Sequence, residues 1–216
     1  MSKKSIEAQL AQASTLIMNA SKHPKVKLQM SSFGYTAERM QQGYEFVNTF
    51  LLLQDEKDNC YSRNSGLRQQ LDQDVKALKS LYKDHLTIAR FAFRTDAYMQ
   101  AQLHLKGKRK TDWAGWTAQV QHFYNRIEAE GMAAMKKHGA KAEELVQGKA
   151  MADALRATHQ DKQSITADAQ SATQRRDEVL KAMNRWVSDF KKVAQVALQD
   201  DPQLLEALGI LVPSVR

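Results

Sequence analysis

Apolar residues recur at steps of three and four along most of this chain. Leu67, Leu71, Val75, Leu78, Leu81, Tyr82, Ile88, Ala89 and Ala92 draw one stripe. Val179, Met183, Trp186, Val187, Phe190, Val193, Val196 and Ala197 draw a second. Residues at that spacing fall on one side of an α-helix, so each stripe predicts a helix with one buried face. Met40, Val47, Phe50 and Leu51 mark a helix beginning near Thr36, and Leu10, Ile17 and Met18 mark an N-terminal helix that stops before His23-Pro24. Runs of alternating Val, Ile, Thr and Tyr are missing, as are Asn-Gly and Asp-Gly hairpin signals. The prolines are Pro24, Pro202 and Pro213 alone, so nothing breaks a helix through the middle of the chain. The expected fold class is all-α.

The chain also repeats itself. Displaced by 105 residues, Met30 falls on Met135, Gly34 on Gly139, Ala37-Glu38 on Ala142-Glu143 and Gln42-Gly43 on Gln147-Gly148. Lys76-Ala77 falls on Lys181-Ala182, Asp84 on Asp189, Asp96 on Asp201 and Leu103 on Leu208. From Met30 to Lys108 the register needs no gap, and 16 of 79 pairs are identical. The mismatches keep apolar character, as in Val75/Leu180, Leu78/Met183, Leu81/Trp186, Ile88/Val193 and Phe91/Val196. Apolar positions held while surface positions drift is the pattern of a duplicated core.

Each copy is then expected to be a helical hairpin with a short tail. In the first, a helix from about Thr36 to Asp58 leads to a polar turn carrying Asn59, Cys60, Asn64, Ser65 and Gly66, and a second helix follows from Leu67 to Phe93. In the second, Asp201 is placed to cap a short helix that has Pro202 in its first turn, Gly209 after its last, and Pro213 beyond. Gly43 and Gly148, inside helices at matching positions, suggest the close approach of a neighbouring backbone. The expected architecture is an elongated four-helix bundle of two repeated hairpins with pseudo-twofold symmetry and short accessory helices. Its parts are an N-terminal helix and linker over 1–29, repeat 1 over 30–108, a linking helix over 109–134 and repeat 2 over 135–216, the two repeats packing as one domain.

Composition adds little to the fold and more to function. Net charge is +8, from 32 basic and 24 acidic residues. The densest cluster, Lys106, Lys108, Arg109 and Lys110, lies at the junction of the repeats and is the candidate anion-binding site. No apolar run approaches the roughly 20 residues of a membrane span. No signal-peptide core follows the N-terminus, so a cytoplasmic location is expected.

Tests for chemistry come back negative. No glutamate is followed three residues later by histidine, and His23, His85, His104, His122, His138 and His159 include no His-x-x-x-His pair. Phosphate-binding glycine loops and the Gly-x-Ser-x-Gly elbow are absent. Cys60 reads as an incidental thiol, and one cysteine builds neither a disulfide framework nor a thiolate metal site. Trp113-Ala114-Gly115 resembles the Trp-x-Gly triplet in the turn of small secreted helical hairpins; those chains are much shorter, and Trp113 and Trp116 read instead as packing or interface groups. No cofactor and no catalytic or metal-binding residue is expected. The leading expectation is a non-enzymatic helical module that acts structurally or through a protein partner, including self-association. The alternatives are a binding protein for an anionic partner such as nucleic acid, and a small-molecule carrier or enzyme with a pocket inside the bundle.

Overall fold

The computed structural model describes residues 5–210 and, among these, every regular element is helical. In order they are α1 (Ile6–Lys22), α2 (Pro24–Ser32), α3 (Ala37–Ala92), α4 (Ala97–Gln102), α5 (Trp113–Arg126), a π-helical turn (Ile127–Gly131), α6 (Met132–Lys137), α7 (Ala142–Ala197) and α8 (Pro202–Ala207). Ser5, Asp96 and Asp112 cap α1, α4 and α5 through their side chains. Thr36 does the same less closely for α3, its Oγ1 accepting from the Arg39 amide at 3.5 Å.

The hairpin turn expected at Asn59–Gly66 is not there: α3 runs unbroken through it for 56 residues, and α7 is unbroken over the matching stretch. The polar residues belong to the water-facing side of a helix. Asn59, Ser65 and Gly66 are exposed, the Asn64 amide donates to the Thr166 hydroxyl at 2.9 Å, and Leu53 and Leu71 are buried on either side. One interior glycine costs a helix about 1 kcal/mol, too little to end it where no proline removes a hydrogen bond. Cys60 is therefore a half-buried helix residue.

The limits of α3 and α7 differ by 105 residues at both ends, as do those of α4 and α8. Left-handed backbone recurs at the same interval: Gly34 (φ 84°) and Gly139 (φ 95°), then His104 (φ 49°) and Gly209 (φ 72°). Each closes a helix through the same bond two residues past the cap, Tyr35 N–H to Met30 O and Ala140 N–H to Met135 O, both 3.0 Å. For α1 and α5 the interval is 107. Buried Ala13, Leu16, Ile17 and Ala20 correspond to buried Val120, Phe123, Tyr124 and Ile127. Two fewer residues then suffice in the second copy, because a π-turn replaces the corner at His23-Pro24.

Contacts divide the chain into two compact units, each drawing on both long helices. Unit 1 combines Met1–Cys60 with Asp168–Arg216, and unit 2 is Tyr61–Ala167. Unit 1 packs Leu16, Ile17, Met30 and Tyr35 against Met183, Trp186, Phe190 and Leu198. Unit 2 packs Leu78, Tyr82 and Phe93 against Phe123, Tyr124, Met135 and Leu145.

Three expectations about side chains need correction. Phe91 and Val196, placed on the buried stripes, are 55% and 57% exposed; Leu86 and Ala89 of α3, with Phe93 just past its end, take the core positions, and Phe91 lies edge-on to His138. Gly43 and Gly148 are approached by aromatic rings, not backbone: a Cβ on Gly43 would stand 2.8 Å from Trp186, and one on Gly148 would enter the Tyr124 ring. Asp201 makes no side-chain cap; its carboxylate pairs with Lys25 at 2.6 Å, while Asp96 in the matching place does cap, accepting from the Met99 amide at 2.9 Å. Pro213 lies outside the described residues.

Candidate functional site

A groove in unit 2 gathers the cations that the sequence scatters. α3 presents Lys79 and Lys83, four residues apart and therefore on one side of the helix. After α4 the chain turns at left-handed His104, buries Leu105 and passes Arg109 and Lys110 before Asp112 caps α5. That cap sets Trp113 and Trp116 in the first turn of α5, three residues apart on one face. Lys79, Lys83, Arg109, Lys110, Trp113 and Trp116 all line one groove of about 440 Å³, whose lining includes no acidic residue among those described.

The groove is braced from behind. The Lys79 ammonium lies 5.3 Å from the centre of the Trp116 ring, and Trp113 stacks on His159 at 4.6 Å. Arg109 holds the connecting loop: Nη1 donates to the Tyr82 hydroxyl at 3.3 Å, and Nη2 donates to the backbone oxygens of His104 and Lys106. Its Nε is buried with no hydrogen-bond partner, which leaves one guanidinium donor unused. The Lys110 amide donates to Gln119 Oε1 at 3.1 Å.

Of the four residues expected to bind an anion, Arg109 and Lys110 reach this groove, whereas Lys106 and Lys108 are exposed and do not line it. Lys79 and Lys83 escaped sequence reasoning because they stand about 30 positions upstream of the cluster, interleaved with the stripe of α3. The i, i+4 lysine pair was the available signal. Trp113 and Trp116, read as packing groups, do pack, and they also form part of the groove lining.

Unit 1 has nothing of this kind at the matching positions. Lys79 and Lys83 correspond to Asn184 and Ser188, Tyr82 to Val187, Trp113 to Ile6 and Trp116 to Gln9. Where Lys79 covers Trp116, Asn184 donates to Gln9 at 2.5 Å.

Unit 2 also holds a buried polar pair. His85 is 1% exposed, with Nδ1 3.1 Å from the Tyr124 hydroxyl and Nε2 without a partner. Burial pushes the imidazole pKa down, against the upward pull of Glu144 and Asp84, and pushes the Tyr124 phenol well above its ordinary range. The matching residue in unit 1 is Phe190.

Among the described residues no three His, Cys, Asp or Glu side chains are grouped to hold a metal, and no helix is long and apolar enough to cross a membrane. No family model, curated protein or solved structure matches the chain.

Proposed function

We propose that the chain is a non-enzymatic helical binding module that holds a nucleic-acid strand, or a polyanion of similar charge spacing, in the groove of unit 2. The observation that carries this reading is the convergence of Lys79, Lys83, Arg109 and Lys110 beside Trp113 in one concavity with no carboxylate in its lining. Cations neutralise phosphates and release counterions, and an aromatic face gives a base something to stack on. We further propose that the scaffold arose by duplication of a segment of about 105 residues and that each unit is a small helical bundle. The matched helix limits and left-handed residues support this.

The test is anisotropy of a labelled oligothymidylate titrated with the full chain over a range of salt. Binding should weaken linearly in log–log form, by about 0.7 per phosphate neutralised. Replacing Lys79 and Lys83 together by Ala should flatten the slope by about 1.4. No binding at low salt, or a slope that the double variant leaves unchanged, would overturn the reading. A protein partner or self-association is the second reading, favoured by adjacent Leu51 and Leu52, both exposed on α3. Sedimentation that shows a monomer across a wide concentration range removes the self-association form of it.

A further inference from the structure

Unit 1 contains a pocket unrelated to the basic groove. α1 ends at Lys22, His23 is extended, and Pro24 opens α2. Around this corner and the first turns of α3 lies a cavity of about 460 Å³, walled by Ala20, Pro24, Met30, Met40 and Tyr44. Its size and apolar walls suit a small organic molecule. Leu28, also in the lining, is 72% exposed, an apolar side chain that no described residue covers.

Two polar groups give the pocket a chemical preference. Lys27 is the one charged side chain among the described lining residues. Tyr35 lines the pocket, is 2% exposed, and its hydroxyl has no hydrogen-bond partner. Its ring is fixed edge-on to Trp186 and Phe190, at 5.7 and 4.9 Å, with the Arg39 guanidinium 4.4 Å over its face. Burial, helped by the Asp189 carboxylate, raises the phenol pKa against the opposing charge and hydrogen-bonding pull of Arg39, so the hydroxyl keeps its proton and can act as a donor.

Unit 2 carries larger, core-packed or ion-paired residues at the matching positions. Ile127, fully buried, stands for Ala20, and Met132, packed on the core, stands for Lys27. The Lys149–Glu128 ion pair takes the positions of Tyr44 and Ser21. The scaffold therefore does not oblige the cavity; unit 1 keeps it through small residues at its back and a cation at its edge.

We infer that this pocket binds an amphiphile with an apolar body and a carboxylate head, the body lying along Met30, Met40 and Tyr44 and the head accepting from the Tyr35 hydroxyl and pairing with Lys27. The test is calorimetric titration of the full chain with dodecanoate, and with dodecanol as the uncharged comparison. Wild type should bind dodecanoate saturably at one site. Lys27→Met, which installs the residue of unit 2, and Tyr35→Phe, which keeps the ring contacts, should each weaken it about tenfold. Lys27→Met should leave dodecanol binding unchanged, and Lys79→Ala should affect neither ligand. Should Tyr35→Phe impair folding, as judged by its melting curve, Lys27→Met on the exposed surface of α2 decides alone. No saturable heat with dodecanoate, or equal affinity in wild type and Lys27→Met, would overturn the inference.

Discussion

Where unit 2 covers Trp116 with Lys79, unit 1 sets Asn184 against Gln9; where unit 1 leaves a cavity beside Ala20, unit 2 inserts Ile127. The limits of α3 and α7, and of α4 and α8, differ by 105 residues, and α1 and α5 begin 107 apart. What differs is the side chains on faces that the cores do not need. The comparison teaches that a helical scaffold is set by a few apolar positions per turn, and that the remaining positions are free to become a site in one copy and plain packing in the other.

The largest effect should come from separating the copies. Each unit draws residues from both long helices, so residues 1–108 alone hold only part of either core. Two such chains could supply each other's missing parts, and an isolated one cannot bury enough surface to offset chain entropy. Expressed alone, the fragment should be a homodimer or an aggregating, poorly ordered chain. Sedimentation showing a well-folded monomer would break the account of crosswise units.

The paired glycines sharpen the comparison. Gly148→Ala would drive a methyl into the Tyr124 ring, which is fully buried and held beside His85, and should cost about 1–3 kcal/mol. Gly43→Ala meets the buried Trp186 ring at 2.8 Å, a smaller overlap than Gly148 has with Tyr124, and alanine returns about 1 kcal/mol of helix propensity. Its net effect should lie nearer zero. Equal losses in chemical denaturation would show that the two glycines face equally rigid neighbours.

His85 distinguishes the cores by pH. Its pKa is lower in the fold than in the unfolded chain, so the fold binds fewer protons there. The stability is full above the unfolded value of about 6.5 and is lost as pH falls below it toward the folded value. His85→Phe, which copies Phe190, should remove this acid sensitivity, and at neutral pH should cost about 1 kcal/mol because the Tyr124 hydroxyl loses its partner. Urea denaturation at pH 5 and 7 checks both; an unchanged pH dependence would exonerate His85.

The smallest difference is at the short helices. Asp96→Ala removes a formed cap and should cost about 1 kcal/mol. Asp201→Ala removes a half-exposed ion pair with Lys25 and should cost a few tenths at most. Thermal melts that rank the two in the opposite order would contradict the cap assignment.

The helical class was legible because the stripes of α3 and α7 step by three and four without proline. The break at His23-Pro24 was legible for the same local reason. The run from Asn59 to Gly66 misled, since polar composition marks a solvated helix face as readily as a turn, and only the buried neighbours Leu53 and Leu71 decide between them. Arg109 and Lys110 were legible as a charge cluster. Lys79 and Lys83 were not, because their proximity to it depends on how α3 packs beside α5. The unit 1 pocket was equally hidden: it results from Ala20 being small and from the angle that Pro24 imposes, and neither leaves a periodic signal.

The most direct measurement is hydrogen exchange on the full chain with and without oligothymidylate. Binding in the groove should slow exchange over residues 75–86 and 109–116, while the corresponding segments of unit 1, residues 180–191 and 6–9, keep their rates. Protection of the unit 1 segments, or no protection in either unit at a concentration that saturates binding, would contradict the assignment of the site to unit 2.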